Sequence, residues 1–458
     1  MTLNIAALRS QLAAKIAAID TSTDANELLL LSASVNNVTT DNIVAVNTPN
    51  DLPDLIAGVN TSSFPSGSIF YVRSLQILVI SSRARWIGFD GRVLRNDVPT
   101  TTAYTWGSNS YGQLGDGTTT SKSSPATFIG GITNWSQLSA GASFSLGLTR
   151  TGIAYAWGRN FSGQLGDNTA TAKSSPVTVV GGITNWSQVS AGGQHSLGLT
   201  STGIAYAWGE NQFGRLGDGT TTMSRRSPVT VVGGITNWSQ LDAGYSHSLG
   251  LTSTGIVYAW GRGSYGALGD GTTTSRSSPV TVVGGITNWI QLSAGSGNNL
   301  GVTSTGIAYG WGYNGQGRLG DGTTTNRSSP VTVIGGITNW SQLNAGGTHS
   351  LGVTSTGIAY AWGRNGYGQL GDGTTVSKSS PVTVIGGITN WIQVSGGTGH
   401  SLGLTSTGIA YAWGSNDESN LGDGTTTSRL SPVTVVGGIT NWAQLSASFN
   451  NNLALTAT

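Results

Sequence analysis

The sequence predicts a mainly β fold: a seven-bladed β-propeller of about 51-residue repeats over 101–458, preceded by a small α+β adaptor over 1–100. The first observation behind this is a Trp-Gly pair that recurs at Trp106, Trp157, Trp208, Trp260, Trp311, Trp362 and Trp413. A period of that length belongs to solenoids and propellers and not to an ordinary globular domain. The second is that each repeat holds four short β-prone runs, IAYAW, PVTVV, WSQVS and HSLGLT in one full copy, set apart by Gly, Asn, Asp and Ser clusters that permit turns. Four strands make one blade. The third lies at the ends of the array, which opens with a lone strand, Ala103 to Trp106, and closes with Leu453 to Thr456, the run that elsewhere leads straight into the next IAYAW. The two chain ends therefore complete one blade together, which removes a free sheet edge.

The composition agrees with a packed, neutral molecule. Charged residues make up 9% of the chain, against about a quarter in most soluble proteins. Disorder is excluded by 15 Trp, 13 Tyr and 37% hydrophobic residues. A formal net charge of +2 gives no concentrated basic face for nucleic acid or an anionic membrane. The chain has no cysteine, hence no disulfide, thiolate nucleophile or Cys-ligated zinc.

In the front hundred residues, Ile5, Leu8, Leu12, Ile16 and Ile19 recur at steps of three and four and predict an amphipathic helix. A helix this short needs a surface for its stripe: its own small domain, a sister copy of the chain, or the body to which the protein attaches. Arg9 and Lys15 interrupt what would be the apolar core of a signal peptide, so the first residues are not read as one, and no run reaches the length of a membrane span. Asp24 and Glu27 have capping-box spacing ahead of Leu28 to Leu31 and predict a second short helix from about Ala25 to Ser34. The stretch 36–60, rich in Asn, Thr, Asp and Pro, reads as loop, and Ile69 to Val72 with Gln76 to Ser81 as a hairpin.

No residue pattern in the repeats carries catalysis. His195, His247, His349 and His400 hold one position of the repeat, occupied by Phe144, Asn298 and Asn451 in the other copies, which marks them as structural polar groups within or between blades. The aspartates of the seven LGD turns, Asp116, Asp167, Asp218, Asp270, Asp321, Asp372 and Asp423, each stand as a single carboxylate among glycines. That suits a turn bonded to its own backbone better than calcium, which takes six to eight oxygens. The GRGSYG run at Gly261 matches a dinucleotide fingerprint only by chance, since no helix follows it. No metal or cofactor site is expected.

Two features point to binding. Lys122, Lys173, Arg225, Arg276, Arg327, Lys378 and Arg429 each lie three residues before the blade proline and form a ring of seven cations, either solvated turn charges or a docking ring for an anionic surface. The repeats also share GGITNW and LGD but differ after the Trp-Gly pair, which places Tyr111, Phe161, Phe213, Tyr265 and Tyr367 on corresponding loops. Aromatics on polar loops suit partner recognition, although they also suit a cover over their own blade.

The words WGxNxxGQLG and HSLGLTSTG, in seven copies over 103–458, closely resemble the regulator of chromosome condensation repeat. The resemblance implies a seven-bladed propeller and, among family roles, guanine-nucleotide exchange on a small GTPase, chromatin contact, or inhibition of a partner enzyme by loops on one face. Against exchange, the array carries a single extra residue near Met223 and no large insertion; against chromatin, it has no basic tail. The TDANELLLL segment and the IFYV…LQILVISS…WIGFDGR hairpin resemble front ends of tail-fibre and minor virion proteins of tailed phages. Together these resemblances imply a non-enzymatic virion protein, as tail fibre, tail appendage or capsid decoration. Residues 1–100 would then hold other virion proteins, with homo-oligomerisation through the helix as an option, and the propeller loops would face a host protein or glycan. The alternative is a cellular or secreted propeller that binds and inhibits or regulates a partner protein.

Overall fold

A computed structural model describes residues 101–457 in full and, before them, the backbone of six strands. The chain divides into two units, Met1–Thr100 and Thr101–Thr458.

In the first unit the strands form one antiparallel sheet, in spatial order Ile43–Val46, Leu28–Leu31, Ile69–Val72, Ile77–Ser82, Arg85–Gly88, Val93–Leu94. The hairpin expected at 69–81 is present, with Ile69 opposite Ile80. The second helix is not: Leu28–Leu31 is a strand, paired with Ile43–Val46 on one side and Ile69–Val72 on the other. A run of four leucines has no period, so capping chemistry alone suggested a helix, and pairing along both edges overrides it. Ile43–Val46 likewise lies inside the stretch read as loop. The predicted helix of Ile5, Leu8, Leu12, Ile16 and Ile19 falls outside the described residues.

The second unit is a closed ring of seven four-stranded antiparallel sheets. In the first blade the strands run outward from the axis as Trp135–Ala140, Phe144–Thr149, Ala154–Gly158 and Lys173–Thr178. The seventh blade takes its inner strands, Trp442–Ala447 and Asn451–Thr456, from the chain's end and its outer strands, Ala103–Gly107 and Lys122–Thr127, from the array's start. Leu453 pairs Thr105 at that seam, so the ring is shut by main-chain hydrogen bonds.

The core lies between blades. Leu146, Leu148 and Ala156 of the first blade pack on Trp186, Val189 and Trp208 of the second, and comparable clusters fill the other junctions. Trp186 and Trp208 sit 5.8 Å apart within their blade. Gly198 makes room for the first of these rings, since a β-carbon there would strike the Trp186 six-membered ring. Removing one such tryptophan costs about 3–5 kcal/mol.

Polar bonds tie the same junctions. The third residue of every inner strand is a glutamine whose amide bonds both the N–H and the C=O of one residue in the next blade: Gln137 with Val189, Gln188 with Leu241, and so on to Gln444 with Leu138. The fifth residue accepts from the next blade as well, as when the Ala191 N–H donates to Ser139 Oγ at 3.0 Å. Serine fills that place in five blades, Asp242 in the third and Asn344 in the fifth. These belts hold the inner strands around the axis.

Candidate partner-binding face

Antiparallel order puts two loops of every blade on one face. The second strand begins where the third ends, as in the pairing of His195 with Gly209, so the hairpin between the first two strands lies beside the loop after the Trp-Gly pair. All five aromatics singled out in the sequence belong to that second loop. Phe161, Tyr265, Tyr367 and Tyr111 are exposed, Phe161 the most at 58%, whereas Phe213 is half-buried. The hairpin tips add Tyr245 and Phe449, which the sequence reading missed because the strand order that joins the two loops was not used.

These aromatics are fixed by arginines and by each other. Arg159 lies over both Tyr111, at 5.6 Å, and Phe161, at 5.3 Å, thereby joining two adjacent loops. Arg262 lies over Phe213 and Arg364 over Tyr367. Such cation–π pairs contribute about 0.5–1 kcal/mol each at exposed sites. Phe213 and Tyr265 have φ of 67° and 64°, a left-handed backbone that costs a bulky residue about 1–2 kcal/mol. The glycine after each, Gly214 and Gly266, is also left-handed and sits against the outer strand of the next blade, where a β-carbon would collide with Ser277 or Ser328. Neighbouring geometry thus forces these two aromatics outward at a conformational cost.

The opposite face is uniform. Its two loops read GGITNW in all seven blades and TSTGI in five. Loop variation inside the chain is therefore concentrated on one face of a sevenfold frame, with Arg150 in the first blade as an exception on the other.

The cations stand at the edge of the variable face, at the start of the outer strands, and they are paired. Lys122, Lys173, Arg225, Arg276, Arg327 and Arg429 lie 2.7 to 3.9 Å from the aspartates of the LGD turns. Lys378 holds the equivalent place beside Asp372 without an ion pair within 4 Å. The ring is thus largely neutralised from within. Each aspartate is also engaged by its turn: Asp218 Oδ1 accepts from the Thr220 N–H, Thr220 Oγ1 and Asn211 Nδ2, while Oδ2 takes Arg225. Burial pushes the Asp218 carboxyl up, but hydrogen bonds from Thr220 and Arg225 outweigh it and hold the value below the ordinary one.

The histidines lie between blades. His349 Nε2 bonds Ser401 Oγ at 2.7 Å; Ser401 Oγ donates to the Gln369 carbonyl, which also receives Trp413 Nε1. Because Ser401 spends its proton on that carbonyl, His349 is the donor and carries its proton on Nε2. His195 does the same with Ser248, and His247 and His400 bond Asn299 and Asn452. Among the described residues no group of three or more His, Cys, Asp or Glu side chains is placed to hold a metal, and no helix is long and apolar enough to cross a membrane.

The RCC1-like domain family model matches residues 99–351, and the regulator of chromosome condensation (RCC1) repeat matches 356–404. The chain belongs to the RCC1-like repeat family. It is 36% identical over 307 residues to the ultraviolet-B receptor UVR8 of Arabidopsis thaliana, covering 65% of this chain and 69% of that one. It is 32% identical over 354 residues to the human E3 ubiquitin-protein ligase HERC2, where the match spans 74% of this chain but 7% of the ligase. Among solved structures, Prp20p of Saccharomyces cerevisiae superposes with a TM-score of 0.71 at 20% identity, over 79% of this chain and 92% of that one. Human WBSCR16 gives 0.69 at 22%, over 78% and 99%. At those identities the likeness shows the fold. None of these matches supports the phage-like resemblance of the front hundred residues.

Proposed function

We propose that the RCC1-like propeller is a non-enzymatic binding module that recognises a partner protein through its variable face and regulates it by occupying it. The observation that carries this is the concentration of loop variation on one face, where exposed aromatics lie beside arginines on a rigid frame. The relatives favour a protein partner: Prp20p is reported with its binding properties to Gsp1p and histones, and yeast RCC1 in a structure with Kap60 bound. A virion setting depends on the front-end resemblance alone, so regulation of a partner protein is the stronger reading. Residues 1–100 serve attachment or delivery in either setting.

Site-specific photo-crosslinking in cells decides it. Crosslinkers placed at Phe161, Tyr265 and Tyr367 should capture one and the same protein, and crosslinkers at Thr202 and Thr356 on the uniform face should not. Capture from the uniform face alone would exclude this assignment.

A further inference from the structure

On the axis, the inner strands enclose a cavity of about 140 Å³ that reaches the hairpin tips of the variable face. Its wall is rich in serine hydroxyls, and it contains one charge. Asp242 occupies a place that five blades fill with serine, and its structural task is the same: Oδ2 accepts the Ala294 N–H at 2.8 Å, as serine Oγ does elsewhere. Serine suffices for that bond, so the charge is an addition. It is also a costly one, because a carboxylate withdrawn from water is stable only when paired. None of the ion pairs among the described residues includes Asp242. The exposed part of its surface is cavity wall.

The mouth has its own chemistry. Tyr245, three residues beyond Asp242, and Phe449, from the seventh blade, meet there with ring centroids 5.2 Å apart. The two rings line the way in to a carboxylate that lacks a counter-ion, and aromatic rings attract cations.

We propose that the axial cavity binds a primary ammonium group, with Asp242 as its counter-charge and the surrounding serine oxygens as further acceptors. Ammonium fits better than guanidinium. A guanidinium fork needs both carboxylate oxygens along one free edge, and here Oδ1 already takes Ser190 Oγ while Oδ2 takes the Ala294 N–H. An ammonium is a compact charge with three donors and uses the remaining lone pairs singly. With about 30 Å³ per water, the space holds a handful of waters or one short alkylammonium chain. Asp242 is the one charged side chain lining it, and burial raises its carboxyl to about 6.

The charge at this site does not involve the rim-loop aromatics Phe161, Tyr265 and Tyr367, and it can be tested without the partner. Titration calorimetry of n-butylammonium into the full chain at about pH 8, where Asp242 is ionised, should give one site, and neutral n-butanol should give none. Asp242→Ser should fold normally, as serine serves five blades, and should weaken amine binding at least about tenfold. Wild-type affinity should fall as pH drops below about 6. Adding N-acetyl-lysine N-methylamide distinguishes sources: binding tighter than butylammonium marks a partner's lysine, weaker binding a free amine, and both support the site. The proposal is overturned if wild type takes up no butylammonium, if Asp242→Ser binds it equally well, or if butanol binds as tightly.

Discussion

Gln137 and Val189 are joined twice across the junction of the first two blades: Gln137 Nε2 donates to the Val189 carbonyl at 3.1 Å and the Val189 N–H donates to Gln137 Oε1 at 2.9 Å. One side chain thereby stands in for a neighbouring strand, satisfying backbone groups on the inner edge that the sheet itself leaves unpaired. The belt closes when Gln444 makes the same pair of bonds with Leu138.

Gln240→Ala should therefore cost more than an ordinary partly buried polar truncation. It strips the partner from the Leu292 N–H and one of two donors from its C=O, which keeps Gln291 Nε2, and a buried group left unpaired costs about 1–3 kcal/mol. A loss of about 1–3 kcal/mol in urea unfolding is expected. Gln240→Glu keeps the acceptor but sets a carboxylate oxygen against the Leu292 carbonyl, and should be at least as damaging. Wild-type stability in both variants would show the belt to be dispensable.

The seam supplies a second test. Deleting residues 453–458 removes most of the strand that pairs Trp442–Ala447 on one side and Ala103–Gly107 on the other. The halves of the seventh blade then lose most of the main-chain pairing between them, and Leu453 and Leu455 leave the core they share with Trp135 and Trp157. Melting should move down for the whole propeller in one transition, because the inner strands stabilise each other in a ring. An unchanged melting temperature would contradict closure by this strand.

The period, the blade count and the seam were legible in the sequence because each is a repeat property, and a fault in one copy is outvoted by six others. The glutamine belt was equally repetitive, yet WSQVS gives no sign that Gln188 points across to Leu241 instead of into solvent. The second half of the candidate face was hidden for a related reason: Tyr245 and Phe449 lie about 200 residues apart in sequence and meet only when the ring closes. Leu28–Leu31 failed differently, since four leucines fit strand and helix alike and only their pairing decides.

The LGD turns separate a structural aspartate from a metal ligand. Asp218→Ala should cost about 1–2 kcal/mol, as it removes the acceptor for the Thr220 N–H and hydroxyl. The Arg225 pair adds little, since a partly exposed ion pair is screened by solvent. Both carboxylate oxygens are already spent within the turn. Calcium or a chelator should thus leave the melting temperature of wild type unchanged, and a calcium-dependent shift abolished in Asp218→Ala would reassign the turn as an ion site.

The buried histidines should set the acid limit of the fold. Burial lowers all four, His195 well below its ordinary value, His247 and His400 to about 4 and His349 to about 3, with Arg215 adding to the effect on His195 and His247. A depressed value means that the folded state resists a proton the unfolded chain accepts. Stability from these groups is therefore complete above about 6.5 and is lost as pH falls through about 4 and 3. A shift of this size is on the order of 3 kcal/mol for each fully buried ring. Asp242 acts in the opposite sense, since its raised carboxyl favours the folded state below 3.8 and that contribution disappears as pH rises through about 6. One group cannot offset four. Unfolding free energy should start to fall near pH 6, before the lowered turn carboxylates such as Asp218 and Asp270 begin to matter below 3.8. Replacing all four histidines by Asn should flatten the profile between about pH 6 and 4. At neutral pH the same variant should still fold, though less stably, because the side-chain amides of Asn298 and Asn451 already sit at that position without a protein hydrogen bond and the links to Ser248, Asn299, Ser401 and Asn452 would be lost. A quadruple variant with the wild-type acid profile would show that the carboxylates, and not the histidines, control acid unfolding.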